Sequence, residues 1–262
     1  MKNFFFPSNA HDTLFQIEDG SYWFRHRNQI ILNGIQNFPP EENIVVDIGG
    51  GNGYVSKKLQ DQGMVSVVFE PIRTGALNAR QRGIQFVFNS TFTPDVVCAN
   101  QVPAVALFDV IEHLEDDQAF LRTIIYPSLK EKGKMYITVP AHQGLWSADD
   151  AEAGHFRRYS IQSLKNILEK NGFRILYITY FFKWLCLPIF LFRTLPSKLH
   201  KRAYKSVQHT KNEFIVNEAK TSRILKLFSS EVSNVKRQKQ MRFGASLFVI
   251  AEKINDHERG NG

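Results

Sequence analysis

The chain has 262 residues, 43% of them hydrophobic, which fits a globular protein with room for one large or two small domains. Its two cysteines, Cys98 and Cys186, show no metal or redox spacing, which excludes a disulfide framework and points to a reducing compartment, the cytoplasm. The formal charge of +8 is uneven: between Arg193 and Arg242 thirteen Lys and Arg stand against three Glu, so the partner expected for that segment is anionic.

The opening MKNFFFPSNAHD is too short an apolar run for a signal peptide. Residues 11–38 read as a helical lead-in rich in aromatics, giving an N-terminal cap over 1–39. VVDIGGGNG, Val45 to Gly53, then reads as an apolar strand that ends in a carboxylate and opens into a glycine-rich turn. Glycine has no Cβ and tolerates positive φ, so such loops approach nucleotide-like ligands closely. A dinucleotide fingerprint would need glycine at 49, 51 and 54, and position 54 is Tyr54; a phosphate loop would need Gly-Lys-Ser/Thr, which is absent. Asp47, directly before the glycines, would repel a pyrophosphate and attract an ammonium group such as that of S-adenosylmethionine.

Beyond the loop the pattern predicts a helix over 53–62, a strand MVSVVFEP ending at Glu70, a helix TGALNARQR and a strand IQFVF. A loop over 91–101 leads to a strand ending near Asp109. A helix EDDQAFLRTIIYPSLKEK follows, capped by Asp116 or Asp117, and then a strand KMYITVP. After a long loop, residues 141–159, Ser160 caps IQSLKNILEKNG. FRILYITYF and GASLFVIAEK are the last strands, separated by an insertion over 182–241. Residues 255–262 read as a frayed tail. Alternating strands and helices with short turns predict an α/β, doubly wound, Rossmann-like domain over 40–181 and 242–254, with a mostly parallel sheet covered on both faces. Ligands in such sheets bind beyond the carboxyl ends of the strands, so Asp47, Glu70, Ser90 and Asp109 should line one rim.

These residues resemble a class I S-adenosylmethionine-dependent methyltransferase. The family loop Asp-x-Gly-x-Gly-x-Gly matches at Asp47, Gly49, Gly51 and Gly53, with Glu70 ending the second strand and DVIEHLEDD following the fourth. The resemblance covers roughly 40–180 plus 244–253 and implies a seven-stranded sheet with the last strand antiparallel. YWFRHRN and PAHQGLWSADDAEAGHFRRYS resemble a bacterial branch of methyltransferase type 11, 12 and 23, associated loosely with cell-surface or lipid-linked substrates.

The resemblance implies a cofactor set of Asp47, Gly49, Gly51, Gly53, Glu70, Pro71, Ile72, Ser90, Thr91 and Asp109. Glu70 would take the ribose hydroxyls, Asp47 the methionine ammonium or the loop itself, and Ile72 the adenine face. Methyl transfer is an in-line displacement on a carbon activated by the sulfonium, so the enzyme aligns a nucleophile and removes its proton. Candidate bases are His155 first, then His113 and His142. Trp23, Arg27, Trp146, Arg157, Arg158 and Tyr159 are candidate substrate contacts, although the arginines can equally pair with Asp149, Asp150 and Glu152 and only pin the loop. In ubiquinone-pathway O-methyltransferases a run similar to Asp109, Glu112 and His113 binds a divalent metal; the alternative is that it braces the strand–helix junction, and no metal is expected here.

The insertion opens with YFFKWLCLPIFLF, too short and broken to cross a bilayer and followed by Arg193, Lys198, Lys201, Arg202 and Lys205. This is the composition of an element lying on the inner face of a membrane, or equally of a helix lining the substrate pocket. The function expected is O-methylation of a small-molecule, lipid-linked or glycan-derived acceptor. The alternatives are an RNA methyltransferase, disfavoured by the lack of an RNA-binding module, and a non-catalytic membrane-associated protein that has kept the fold.

Overall fold

A computed structural model describes residues 8–93, 99–199 and 218–255. The expectations about the MKNFFFP start, Cys98, the tail from 256 and the cations Lys201, Arg202 and Lys205 lie outside the described residues. Seven strands make one sheet: β1 Ile44–Ile48, β2 Val65–Phe69, β3 Phe86–Phe88, β4 Val102–Phe108, β5 Leu129–Pro140, β6 Phe173–Phe181 and β7 Ser246–Lys253. Their spatial order is β3-β2-β1-β4-β5-β7-β6. β1 to β5 run parallel, and β7 lies antiparallel between β5 and β6, so the mostly parallel sheet with an antiparallel last strand is the fold. The chain order reverses between β1 and β4. That reversal opens a crevice at the carboxyl ends of these two strands, where ligands of doubly wound sheets bind.

The side-chain period of two splits the strands between two layers. On one face Val46, Ile48, Leu107, Ile137 and Val249 pack under the helical run 117–128 (α5) and under α7, Ile161–Lys170, through Leu121, Ile125, Leu164 and Leu168. On the other face Val45, Ala106, Phe108, Tyr136, Phe248 and Ile250 meet α2, Tyr22–Asn37, α3, Tyr54–Gln60, and α9, Glu218–Lys236. The lead-in is therefore two helices, α1 Ser8–Ile17 and α2, and Ile30, Ile31 and Ile35 of α2 are fully buried. Gly34 lets α2 cross the sheet closely, because a Cβ there would stand 2.1 Å from the Phe248 ring.

Helix α5 starts where expected, with the Asp116 carboxylate accepting the Ala119 amide at 2.8 Å. It ends earlier than expected, at Ser128, instead of running through LKEK. Leu129 is fully buried and pairs with Val102, while the amides of Asn100 and Gln101 take the carbonyls of Pro127 and Ser128. Tertiary pairing at the sheet thus overrides helical periodicity. The remaining helices are α4, Arg73–Gln81, α6, Ala148–Glu152, and a continuous helical run over 183–198 (α8).

One buried carboxylate joins three of these pieces. Glu231 of α9 accepts the amides of Phe182 and Lys183, each at 2.8 Å, and faces His26 Nε2 of α2 at 2.9 Å. It turns the chain from β6 into α8, at a point where Phe182 takes a left-handed φ of 61°.

Candidate active site

The crevice is a cavity of about 1140 Å³ reaching from the glycine loop to the 141–159 loop. At one end Gly49, Gly51 and Gly53 have φ of 71°, 54° and 72°, the left-handed region that a Cβ disfavours. Gly53 has a second constraint, since a Cβ there would press on Ala79 and Ile84 at 3.0 Å. Gly51 and Gly49 border the cavity; Gly53 sits behind them and starts α3.

Two buried carboxylates flank the loop. Asp47 accepts the Ser56 hydroxyl at 2.6 Å through one oxygen, while the other, Oδ1, is buried with no partner. Burial pushes its carboxyl up to about 6, against the opposing pull of Ser56 and Arg27. Glu70 accepts the Gly51 amide at 2.8 Å and the Ile72 amide at 2.7 Å, tying the end of β2 to the loop. Burial raises it to about 7 despite those two hydrogen bonds. An orphaned, desolvated Asp47 oxygen is what a bound ammonium would satisfy, so the site fits the S-adenosylmethionine the sequence suggests.

Helix α1 closes this end, and sequence reasoning missed its contribution. His11, Leu14 and Glu18 line the cavity. Asn52 holds them: its amide donates to the His11 carbonyl at 3.0 Å and to Glu18 at 3.2 Å, and its oxygen accepts from Asn78 at 3.1 Å. Arg82 pairs with Glu18 at 2.6 Å. The only sequence signal was Asn52 itself, a polar residue inside the glycine loop.

At the β4 end Asp109 adopts φ 57°, accepts the Thr138 hydroxyl at 3.0 Å and pairs with Arg27 at 2.8 Å. Trp23 lies under the Arg27 guanidinium, 5.1 Å from its ring centroid, and stacks on Phe182. Trp23, Arg27 and Asp109 all border the cavity, with Pro71, Ile72 and Thr91 on the loop side. Ser90 is half-buried and does not.

The far wall is the 141–159 loop. Asp150 is its anchor: it accepts the Ser147 amide at 2.9 Å, the Arg158 guanidinium at 2.7 and 3.0 Å, and faces His155 Nδ1 at 3.1 Å. Burial alone would raise the Asp150 carboxyl, but His155, Arg158 and Ser147 together hold it below its ordinary value. The His155 ring stands edge-on to His113 at 4.7 Å. Burial and the neighbouring His155 lower His113 to about 4, keeping it neutral. Glu112 beside it is fully buried, and neither of its oxygens has a partner. Burial and the Asp109 charge push it well above the usual carboxylate range. One ligand atom each of Glu112, His113 and His155 lies within 4.8 Å of the others, a nitrogen and oxygen set that can hold a divalent cation.

The other expected contacts fall elsewhere. Arg158 borders the cavity but is spent on Asp150, whereas Arg157 pairs with Asp117 at 3.0 Å outside it. Tyr159 is buried and donates to Asp117 at 2.7 Å. His142 is turned away by a φ of 60° and stacks on Tyr180 at 4.7 Å, and neither it nor Trp146 reaches the cavity. The backbone bridge from Ala141 to Tyr159 fixes this direction.

A family model described as a methyltransferase domain matches residues 23–178. No curated protein sequence matches the chain. Among solved structures, an S-adenosylmethionine-dependent methyltransferase from Archaeoglobus fulgidus is similar at 19% identity and TM-score 0.53, over 86% of this chain and 94% of that one. A chain of the complex between the Haloferax volcanii Trm112 methyltransferase activator and a methyltransferase aligns at 15% identity and TM-score 0.60, over 95% and 98%. Phosphoethanolamine N-methyltransferase 2 of Haemonchus contortus, with phosphomonomethylethanolamine and S-adenosylhomocysteine, aligns at 16% identity and TM-score 0.56, over 95% and 59%.

Proposed function

We propose that this chain, which belongs to the methyltransferase-domain family and uses S-adenosylmethionine, methylates an oxygen on a small-molecule, lipid-linked or glycan-derived acceptor. The observation that carries this reading is one cavity with two unlike ends, the Asp47 and Glu70 carboxylates at one and the His155–Asp150 pair at the other. Asp47 would hold the ammonium, Glu70 the ribose and Ile72 the adenine face. The bound cofactor supplies a sulfonium-activated methyl carbon. Asp150 bonds Nδ1 of His155, which fixes the tautomer and leaves the other ring nitrogen to take a proton from an acceptor hydroxyl. Neutral His113 packs the imidazole from the side. Trp23 and Arg27, held by Phe182 and Asp109, wall the acceptor off from water, and Arg158 acts through Asp150 as a positioning residue.

Calorimetry with S-adenosylmethionine and with Asp47→Ala and Glu70→Ala tests the cofactor assignments. Undiminished binding by both variants would overturn them. A radiolabelled methyl donor offered to lipid and aqueous extracts of the source cell tests the acceptor class, and label on nitrogen or carbon would overturn the choice of oxygen.

The unpartnered Glu112 oxygens favour a second reading of the same wall, in which Glu112, His113 and His155 hold a divalent cation that lowers the acceptor's pKa in place of a base. Zn²⁺ or Mn²⁺ titration of the purified chain and of Glu112→Gln decides between them. Turnover indifferent to chelators would leave the base.

A further inference from the structure

Helix α8 has two apolar faces with different neighbours. Leu185, Ile189 and Arg193, four residues apart, line the cavity beside Phe182. The helix is fixed in that attitude by the Thr194 hydroxyl, which donates to the Leu145 carbonyl at 2.8 Å, and by Ser197, which accepts the Ala148 amide at 2.8 Å. Its other face points to solvent: Leu187 is 64% exposed and Phe192 73%, with Trp184, Leu191, Leu195 and Leu199 around them. Several large apolar side chains exposed along one helix mark a surface with a binding role.

Charge selects the occupant. Lys183 and Lys198 of α8 are exposed, Arg193 faces the cavity and pairs with Asp149 at 3.4 Å, and in the sequence no Asp or Glu occurs between Lys170 and Asn212. A second copy packed on the same face would set Lys183 and Lys198 against their counterparts, which opposes self-pairing. An anionic bilayer accepts both the apolar side chains and the cations. At 1.5 Å per residue the helix is about 24 Å long, short of a bilayer core of about 30 Å. Among the described residues no helix is long and apolar enough to cross a membrane, so α8 would lie flat.

We propose that α8 seats the protein on an anionic bilayer and that the acceptor is an amphiphile drawn from it. An apolar chain leaving the cavity past Leu185 and Ile189 emerges beside the outer face of the same helix, in the phase that solvates it. The identity of the acceptor rests on the methyl-transfer reading; the bilayer contact does not.

The test uses the full chain with vesicles of phosphatidylcholine alone and with about 30% phosphatidylglycerol, read by co-sedimentation and tryptophan emission. Anionic vesicles should bind at least about tenfold more tightly. The double variant Leu187→Glu, Phe192→Glu should lose about tenfold or more of that binding. Lys183→Glu with Lys198→Glu should remove the preference for anionic lipid. All variants should keep S-adenosylmethionine affinity and circular dichroism unchanged, which separates docking from folding. Three results would overturn the docking: no binding to anionic vesicles, equal binding by the Leu187/Phe192 variant, or a dimer in light scattering that this variant dissolves. Label from the methyl donor recovered in organic-phase products supports the amphiphilic acceptor, and label in aqueous products alone overturns it. Vesicle binding without S-adenosylmethionine binding would remove the methyl-transfer reading and leave the docking standing.

Discussion

The two ends of the cavity are built on different principles. The glycine-loop end is local: Asp47, the three left-handed glycines and Glu70 fall within 24 residues, and backbone amides join them. The end proposed to take the acceptor is assembled at long range, from Trp23 and Arg27 of the lead-in, Asp109 to His113 after β4, the 141–159 loop and α8. Its parts are held by buried charges instead of by a backbone turn. A cofactor can be held by a short, stiff loop, whereas a pocket for a particular acceptor needs walls drawn from separate elements.

The contrast is sharpest where one side chain at the acceptor end is removed. His155→Ala should lower kcat by about 10² to 10⁴-fold with cofactor affinity intact, once an acceptor is in hand. Loss of cofactor binding in that variant would show that the two ends are not separable. Next comes Glu231→Ala, which strands the Phe182 and Lys183 amides and leaves His26 without its partner in the core. It should cost about 3–5 kcal/mol in urea unfolding, as expected for removing one partner of a buried carboxylate network, and loosen the cavity wall formed by Trp23 and Phe182 first. A cost below about 1 kcal/mol would mean that the lead-in and α8 are held by packing alone.

At the other end Asp47→Ala should weaken S-adenosylmethionine binding by about 10- to 100-fold, the value of one charge-assisted hydrogen bond of about 1.5–3 kcal/mol. The smallest effect is a pH dependence that the two ends should not share. Asp47 sits at about 6 and Glu70 at about 7 in the cofactor-free protein, both above their ordinary values through burial. An acid whose folded pKa is raised binds protons in the folded state that the unfolded chain has released, so these groups favour folding at low pH and cost stability as pH rises through those values. Bound cation relieves that cost only when they are ionised. The rise in Tm on adding S-adenosylmethionine should therefore shrink as pH falls from 8 to 5, by up to about tenfold in affinity per pH unit below 6. A constant increment would remove Asp47 as the group that holds the cofactor's ammonium and Glu70 as an ionised acceptor of its ribose hydroxyls.

The alternation of strands and helices, the Ser160 and Asp116 caps and the glycine loop could all be read from the sequence, because each depends on contacts within a few residues. Helix α5 ends before its helical periodicity does because Leu129 pairs with Val102, 27 residues away in sequence. The same limit applied to the site. Glu70 and Asp47 were legible from strand ends, and His155 stood out in GHFRRYS. The role of α1 was not legible, since nothing in SNAHDTLFQIE marks His11 and Glu18 as facing Asn52. His142 and Trp146 carried the right chemistry in the right loop, but direction within a loop is set by what the loop packs on.

The sequence by itself determined the doubly wound sheet and the cofactor, because strand period, glycine backbone freedom and a carboxylate at a strand end are local properties. Only the tertiary structure decided which lid residues face the cavity and which pair with one another. It also showed that α8 carries one apolar face inward and one outward. Those outcomes depend on buried contacts such as Arg157 with Asp117 and His26 with Glu231, whose partners lie far apart in the chain and are brought together only by the fold.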